Sequence, residues 1–358
     1  MSFSRTVQKP YRRILRFIGL RGLSIFISFI IALYLTIIIA NMGGLVDRIK
    51  IMEISESVYD RLRGDPKFYH LTAEERDRLA QDMIQKEVKR LGLDKPFILR
   101  SFIYLKDALT LNLGRSFNLV SNSGSREVKI IILERLPPSI LLFTSSQIIM
   151  FFSTLIAGLY LSRCYGSKLD KIFSLLAPLS SLPGWFYGIF LIILFASILK
   201  VLPYGGMIDV PPPKDTLSYT LSVLKHLVLP LLSILISGFF LSTYSIRTYL
   251  LIHSTEDYVD VARVKGLPPK IIERRYILRP ALSPIITSLA LGLIASWMGG
   301  IITERIFTWP GMGTLIYAAI STNDSPVIVG ATTIYAVLLA ITVFLLDIVY
   351  AIIDPRVR

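Results

Sequence analysis

Apolar residues in this chain are gathered into runs rather than spread in the short alternations of a soluble core. Six stretches with almost no charge recur, at 22–42, 139–162, 172–199, 226–248, 281–303 and 328–352. At about 1.5 Å of rise per residue, a run of ~20 residues crosses the ~30 Å hydrocarbon layer. The pattern predicts an all-α membrane protein with six transmembrane helices. Between the first two runs lies the one large polar insertion, 43–138, whose charges are numerous and nearly balanced. Within it, Thr72 with Glu75 three residues later is a capping-box signature, and Gly92 stands where a helix would stop, so a helix is expected at about 73–91. Phe97, Phe102, Ile103, Tyr104 and Leu105 form a second amphipathic stretch, read as core packing.

Charge then orients the spans. The N-terminal segment carries Arg5, Lys9, Arg12, Arg13, Arg16 and Arg21, which places 1–21 in the cytoplasm by the positive-inside rule. Six spans return 353–358 to the same side. The loops agree: 163–171 and 249–280 are basic and belong inside, whereas 304–327 offers only Arg305 against Glu304 and Asp324 and belongs outside. On this reading 43–138 is an extracytoplasmic insertion, and 139–352 is a transmembrane domain holding the second to sixth spans with a cytoplasmic loop at 249–280. The basic leader lacks a small-x-small cleavage site, so the first run reads as a retained span rather than a signal peptide.

Composition adds exclusions. The chain has 358 residues, is 53% hydrophobic and carries a formal net charge of +14. In a membrane chain that excess belongs to loops facing anionic lipid rather than to nucleic acid. One cysteine, Cys164, and three histidines are too few and too scattered for a zinc site or a disulfide framework. Neither a G-x-x-x-x-G-K-[ST] loop nor a GxGxxG turn before a helix is present, so no nucleotide is held here. The stretch Trp309-Pro310-Gly311-Met312-Gly313 reads as a turn, and Pro183 with Gly184, Trp185 and Tyr187 reads as a kinked third span lined by aromatics. Asp347 is the clearest acid inside a span, and a structural role is expected for it.

The segment 254–279, STEDYVDVARVKGLPPKIIERRYILR, is more ordered than a simple tether. Ser254 or Thr255 can cap a helix whose first turn holds Glu256 and Asp257, both favourable at the positive end of the macrodipole. Tyr258, Val261 and Ala262 share a face at helical spacing, Lys265 sits in the last turn, and Gly266 is a left-handed cap. Pro268 and Pro269 suit the first turn of a second helix. A helix-turn-helix for DNA would show a small residue and a glycine at similar spacing, but here a span tethers each end and the third helix is missing.

The same segment resembles the EAA loop of ABC-importer permeases, with Asp260-Val261-Ala262 in the place of Glu-Ala-Ala and Gly266 as the motif glycine. Further blocks are similar to the dipeptide/oligopeptide branch and occur in its order: GLDKP at 92–96, LGRSF at 113–117, LPPSI at 136–140, VLPYGG at 201–206, FTWPGMGTL at 307–315 and LLDIVYAIIDPRVR at 345–358. The resemblance implies a transmembrane subunit of an ATP-driven importer in the cell membrane, with no catalysis and no cofactor on this chain. It implies a second homologous permease, two ATP-binding subunits or domains that hold ATP and magnesium, and an extracytoplasmic substrate-binding protein. Tyr258, Asp260, Ala262, Lys265, Gly266 and Leu267 are then the candidates for contact with the ATPase, and Trp185, Tyr187 and Trp309 for the substrate path. Di- or oligopeptides are the expected cargo. Oligosaccharides or metal chelates on the same architecture, and a secondary transporter, are the alternatives; a secondary transporter would show coupling acids or broken helices in repeated halves.

Overall fold

A computed structural model describes residues 10–41, 44–64, 68, 72–296 and 299–353. The chain is helical, in the order α1 (Pro10–Asn41), α2 (Leu45–Gly64), α3 (Ala73–Arg90), α4 (Phe97–Leu109), α5 (Val128–Arg163), α6 (Lys168–Leu176), α7 (Gly184–Leu191), α8 (Thr216–Ser254), α9 (Asp257–Val264), α10 (Pro269–Ile271), α11 (Arg279–Ser296), α12 (Ile301–Ile306), α13 (Met312–Ser321) and α14 (Ser325–Ile353). Among the described residues, five helical segments are long and apolar enough to cross a membrane. A sixth crossing exists if the pair Lys168–Ser181 and Gly184–Ile198, bent by 95°, counts as one span. The residues divide into two compact units.

One unit comprises Gly19–Ile131 and Ala319–Ala340. The expected 73–91 helix is α3, and both halves of its capping box form: Thr72 Oγ1 accepts from the Glu75 amide, and Glu75 accepts from the Thr72 amide at 2.9 Å. Gly92 ends it at φ +69°, where Gly92 N–H donates to Lys89 O and Leu93 N–H to Val88 O. These two bonds make a Schellman turn, which favours glycine because a Cβ is strained in that conformation. The amphipathic stretch after it is α4, whose Tyr104, Leu105 and Ala108 pack on Phe29, Leu33 and Ile37 of α1. Val58 and Leu62 of α2 pack on Ala80 of α3. The buried Asp47 accepts from Tyr104 Oη at 2.5 Å and pairs with Arg100 at 3.1 Å. Burial first, then the Asp47 bond, raises the Tyr104 phenol above its ordinary value. Asp324, fully buried at the start of α14, accepts from Ser116 Oγ and from the amides of Asn118 and Leu119, which fastens the 114–128 turn.

The other unit holds Ile132–Ala318 and Ile341–Arg358 together with Met1–Ile18. Its span boundaries differ from the sequence expectation in three places. The second span does not open at the proline pair, because α5 begins at Val128 and carries Pro137 and Pro138 inside. The third span is not a kinked rod: α6 runs into a 3₁₀ turn at Ala177–Ser181, extended backbone at Leu182 and Pro183 breaks it, and α7 continues as a π-helix over Ile192–Ile198. The fifth span stops at Ser296, short of 303, and α12 starts after Gly300. Two helices approach closely at Gly158, where an added Cβ would lie 2.7 Å from Ile246 Cγ2 and 3.2 Å from the Arg247 amide nitrogen. Small residues at such crossings let helix backbones approach in a medium where no hydrophobic force separates protein from lipid. Arg5 and Lys9 of the basic leader, and 354–358 of the closing block, lie outside the described residues.

Candidate functional site

The segment 254–279 folds as a short helix on a tight turn that leads back into the fifth span. Its helix α9 is not capped by Ser254 or Thr255. Those residues finish α8, where their hydroxyls donate to Leu251 O and Ile252 O. Glu256 holds the N-cap position, without a side-chain bond, and Asp257 and Asp260 fill the first turn. The exposed Asp260 accepts from Arg263 at 2.8 Å.

The buried face of α9 also differs from the expected one. Val259 and Ala262 are buried on Ile272, with Leu267 and Tyr276 packed around them. Tyr258, Val261 and Val264 point outward, and Val264 keeps 89% of its surface. At the other end Gly266, φ +74°, closes a Schellman turn: Gly266 N–H donates to Arg263 O at 2.9 Å and Leu267 N–H to Ala262 O at 3.2 Å. Nothing within 4 Å would meet a Cβ at Gly266, so conformation rather than space selects glycine there. Lys265 is exposed beside it. Pro268 and Pro269 then start α10 as expected, and the chain continues through a π-helix, Ile272–Leu278, directly into α11.

Two ion pairs tie neighbouring helices together. Glu273 of the π-helix accepts from Arg163 at the end of α5, at 2.5 and 3.1 Å, with Arg163 largely exposed. The second pair is buried: Arg247 of α8 forks onto Asp170 of α6, Nε to Oδ1 at 2.5 Å and Nη2 to Oδ2 at 2.7 Å. Asp170 also accepts from the Gly166 amide at 2.9 Å, and the guanidinium lies 5.0 Å from the Tyr165 ring centroid and 5.4 Å from that of Tyr244. A fork on a carboxylate with aromatic faces on the guanidinium is an arginine-specific arrangement.

Trp185 and Tyr187 are half-buried on α7, with the Tyr187 hydroxyl donating to Leu179 O across the break in the third span. Trp309 is fully buried. It packs with Leu142 and Leu227 and donates from Nε1 to Pro138 O at 2.9 Å. Its glycine-rich stretch does form a turn, between α12 and α13, built around Glu304. That carboxylate, with no exposed surface, accepts from Ser139 Oγ at 2.7 Å and from the Thr314 amide at 2.9 Å. Burial is the largest influence and pushes the Glu304 carboxyl above its ordinary range. An added Cβ at Gly311 would come within 2.6 Å of the carboxylate, which explains the glycine.

The sequence pattern of the binding-protein-dependent transport system inner membrane component family matches residues 154–358, from the second half of α5 through the whole of 254–279 to the end. The chain belongs to this family. It is a multi-pass protein of the cell membrane and a permease subunit of an ABC importer. This permease is 33% identical over 270 residues to a putative peptide permease protein of Brucella suis, an alignment covering 75% of this chain and 82% of the relative. It is 31% identical over 285 residues to the dipeptide transport system permease protein DppB of Bacillus subtilis, covering 79% and 86%. With the oligopeptide transport system permease protein AppB of the same organism it shares 29% identity over 300 residues, covering 82% and 90%.

Asp170, Arg247, Glu304 and Asp324 escape a reading by runs and loops. Arg247 gave a signal, being an arginine inside the apolar run 226–248. The three acids sit in loop-like stretches of sequence, where they pass for solvated charge.

Proposed function

We propose that this permease forms half of the translocation pathway of an ATP-driven importer of di- and oligopeptides. Its partners are a second, homologous permease, two ATP-binding subunits that hold ATP and magnesium, and an extracytoplasmic substrate-binding protein. The cargo reading is supported by the relatives, named as dipeptide, oligopeptide and putative peptide permeases. Both termini and 249–280 are assigned to the cytoplasm and 43–138 to the outside, on the charge asymmetry of the short loops.

The observation that carries the coupling role is the outer face of α9. Tyr258, Val261 and Val264 are exposed on a helix whose opposite face is anchored by Val259 and Ala262. An apolar face held rigidly on a glycine-closed turn suits insertion into a groove on an ATPase, with Asp260 and Lys265 at the rim and Gly266 and Leu267 fixing the angle. Ala262 then acts inside the hairpin as its anchor rather than at the interface. Trp185 and Tyr187 remain candidates for the substrate path, while Trp309 acts as an anchor of the α12–α13 turn.

The test is ATP-dependent uptake of a labelled dipeptide into proteoliposomes holding the complete transporter. Gly266→Pro fixes φ near −65° where the chain needs +74°. Assembly with the ATP-binding subunits is expected to survive, ATP hydrolysis to become independent of substrate, and uptake to fall to background. Uptake by the permease alone, indifferent to ATP, would overturn the proposal.

A further inference from the structure

The unit Gly19–Ile131 with Ala319–Ala340 encloses a cavity of about 610 Å³, which none of the roles above uses. That volume lies within the ~300–1,000 Å³ typical of ligand clefts. Its floor is apolar and comes from two membrane-capable helices: Ile37 belongs to α1, and Val329 and Gly330 belong to α14. Ala108 and Ile103 of α4 complete it. The rim is cationic. Lys89 and Arg90 close α3, Lys95 follows its glycine turn, and Arg115 stands on the 114–128 turn, against a single acid among the lining residues, Asp107.

All four cations are exposed. Arg90 is paired with Glu87, and Asp107 accepts weakly from Asn112. Lys89, Lys95 and Arg115 form no salt bridge among the described residues. The start of α14, at Ser325 and Pro326, also lines the cavity. The preceding Asp324 already occupies that positive helix end with its own carboxylate, so the dipole is not counted towards a ligand.

We propose that this cavity binds an anionic phospholipid drawn from the surrounding bilayer. The rim cations hold the phosphate, the cavity takes the headgroup and glycerol, and the acyl chains run down the lipid-facing side of α1, where Ile31, Leu35 and Ile39 are exposed. Two features select this occupant. The apolar lining includes residues of α1 and α14, both long and apolar enough to cross a membrane, which sets the cavity beside helices that meet hydrocarbon. With Arg90 paired to Glu87, the lining still offers Lys89, Lys95 and Arg115 against the single acid Asp107, a net positive balance that suits a phosphodiester better than a zwitterionic peptide. The inference uses the membrane location alone and holds whatever the cargo.

The experiment places the intact transporter in nanodiscs containing equal trace amounts of photoactivatable phosphatidylglycerol and phosphatidylcholine, with peptide mapping of the cross-links. Phosphatidylglycerol is expected to label 89–117 and 325–333 in clear excess over phosphatidylcholine. Each basic residue near a lipid surface contributes about fivefold in affinity, so Lys95→Gln with Arg115→Gln should lower labelling by tenfold or more. Lys86→Gln, an exposed cation outside the cavity paired with Asp82, should change nothing. Both double-variant residues are exposed, and the wild-type preference between the two lipids tests the idea even if that variant fails to assemble. Equal labelling by both lipids would overturn it. So would cross-links joining the rim to the second permease, or displacement of the lipid probe by a transported peptide, which would hand the cavity to a protein partner or to the cargo.

Discussion

Replacing Arg247 by methionine should open the 163–171 turn without dismantling the helices on either side. The substitution keeps the length of the stem and removes two charge-assisted bonds, at 2.5 and 2.7 Å, from a carboxylate that is 3% exposed. Asp170 keeps its bond from the Gly166 amide, so the loss falls near the lower end of the ~3–5 kcal/mol typical of breaking a buried pair. About 3 kcal/mol corresponds to roughly two orders of magnitude in a local opening equilibrium. Hydrogen exchange of the 163–171 amides in the purified transporter is the assay, and exchange should accelerate about 100-fold in Arg247→Met. In the double variant Arg247→Met/Asp170→Asn no buried charge remains and the amide oxygen can still accept from Gly166. Most of the protection should return, to within about tenfold of wild type. An acceleration below fivefold in the single variant, or a double variant as fast as the single, would refute the assignment of the fork as the clasp of this turn.

Gly158→Ala should destabilise the α5–α8 crossing by about 1–3 kcal/mol, read as a lower unfolding temperature of the purified complex, and Ile246→Ala in that background should restore part of it by removing the opposing Cγ2. Glu304 has its folded-state acidity weakened by burial, so the protonated form favours the fold. Its contribution is whole below the ordinary carboxylate range and is lost as pH rises through the higher folded value; thermal stability of the wild type should decline across that window, and Glu304→Gln should flatten the decline. Thr72→Ala removes the capping box of α3 at a cost of about 1 kcal/mol, visible as roughly fivefold faster exchange of the Glu75 and Arg76 amides with the rest of the chain unchanged. Glu273→Gln breaks a pair whose arginine is 61% exposed, so ATP-coupled uptake should fall by less than about twofold.

What the sequence disclosed and what it withheld divide along a physical line. Local signals held. The Thr72–Glu75 box, Gly92 and Gly266 each encode a cap that needs only neighbouring residues, and each forms. Among the described residues the apolar runs located each membrane-capable helix, because burial in lipid demands composition and length and little else. Proline was less informative. Pro137 and Pro138 sit inside α5, and Pro230 inside α8, whereas Pro183 marks a 95° break. Whether a proline breaks a helix depends on whether neighbours re-satisfy the freed backbone groups, which no local window contains. Long-range choices were hidden for the same reason. The inward face of α9 follows Ile272, so Val259 is buried and Tyr258 is not. Asp170 and Glu304 are buried by groups 77 and 165 residues away.

The buried groups also indicate how a push on α9 would travel under the proposed function. Val259 and Ala262 seat α9 on Ile272, the first residue of the π-helix that runs without a loop into α11. A displacement of α9 therefore reaches the fifth span through packed apolar contacts, which are stiff at interior densities. The exposed Arg163–Glu273 pair adds little to this path, since solvent screens it and both side chains can reorient. The fourth span is held differently. Its C-terminal end is clasped to α6 by the Asp170–Arg247 fork and lies close to α5 at Gly158, so α5, α6 and α8 resist separation. The fifth span is not free of these helices, since Ala281 and Ile285 of α11 share one apolar core with Ile246 and Leu250 of α8 and with Phe151, Leu155 and Leu159 of α5, so a push on α9 would carry the fifth span and these neighbours together. Under the proposed function the push therefore enters through the buried contacts of this hairpin and not through the surface charges that make 249–280 conspicuous in the sequence.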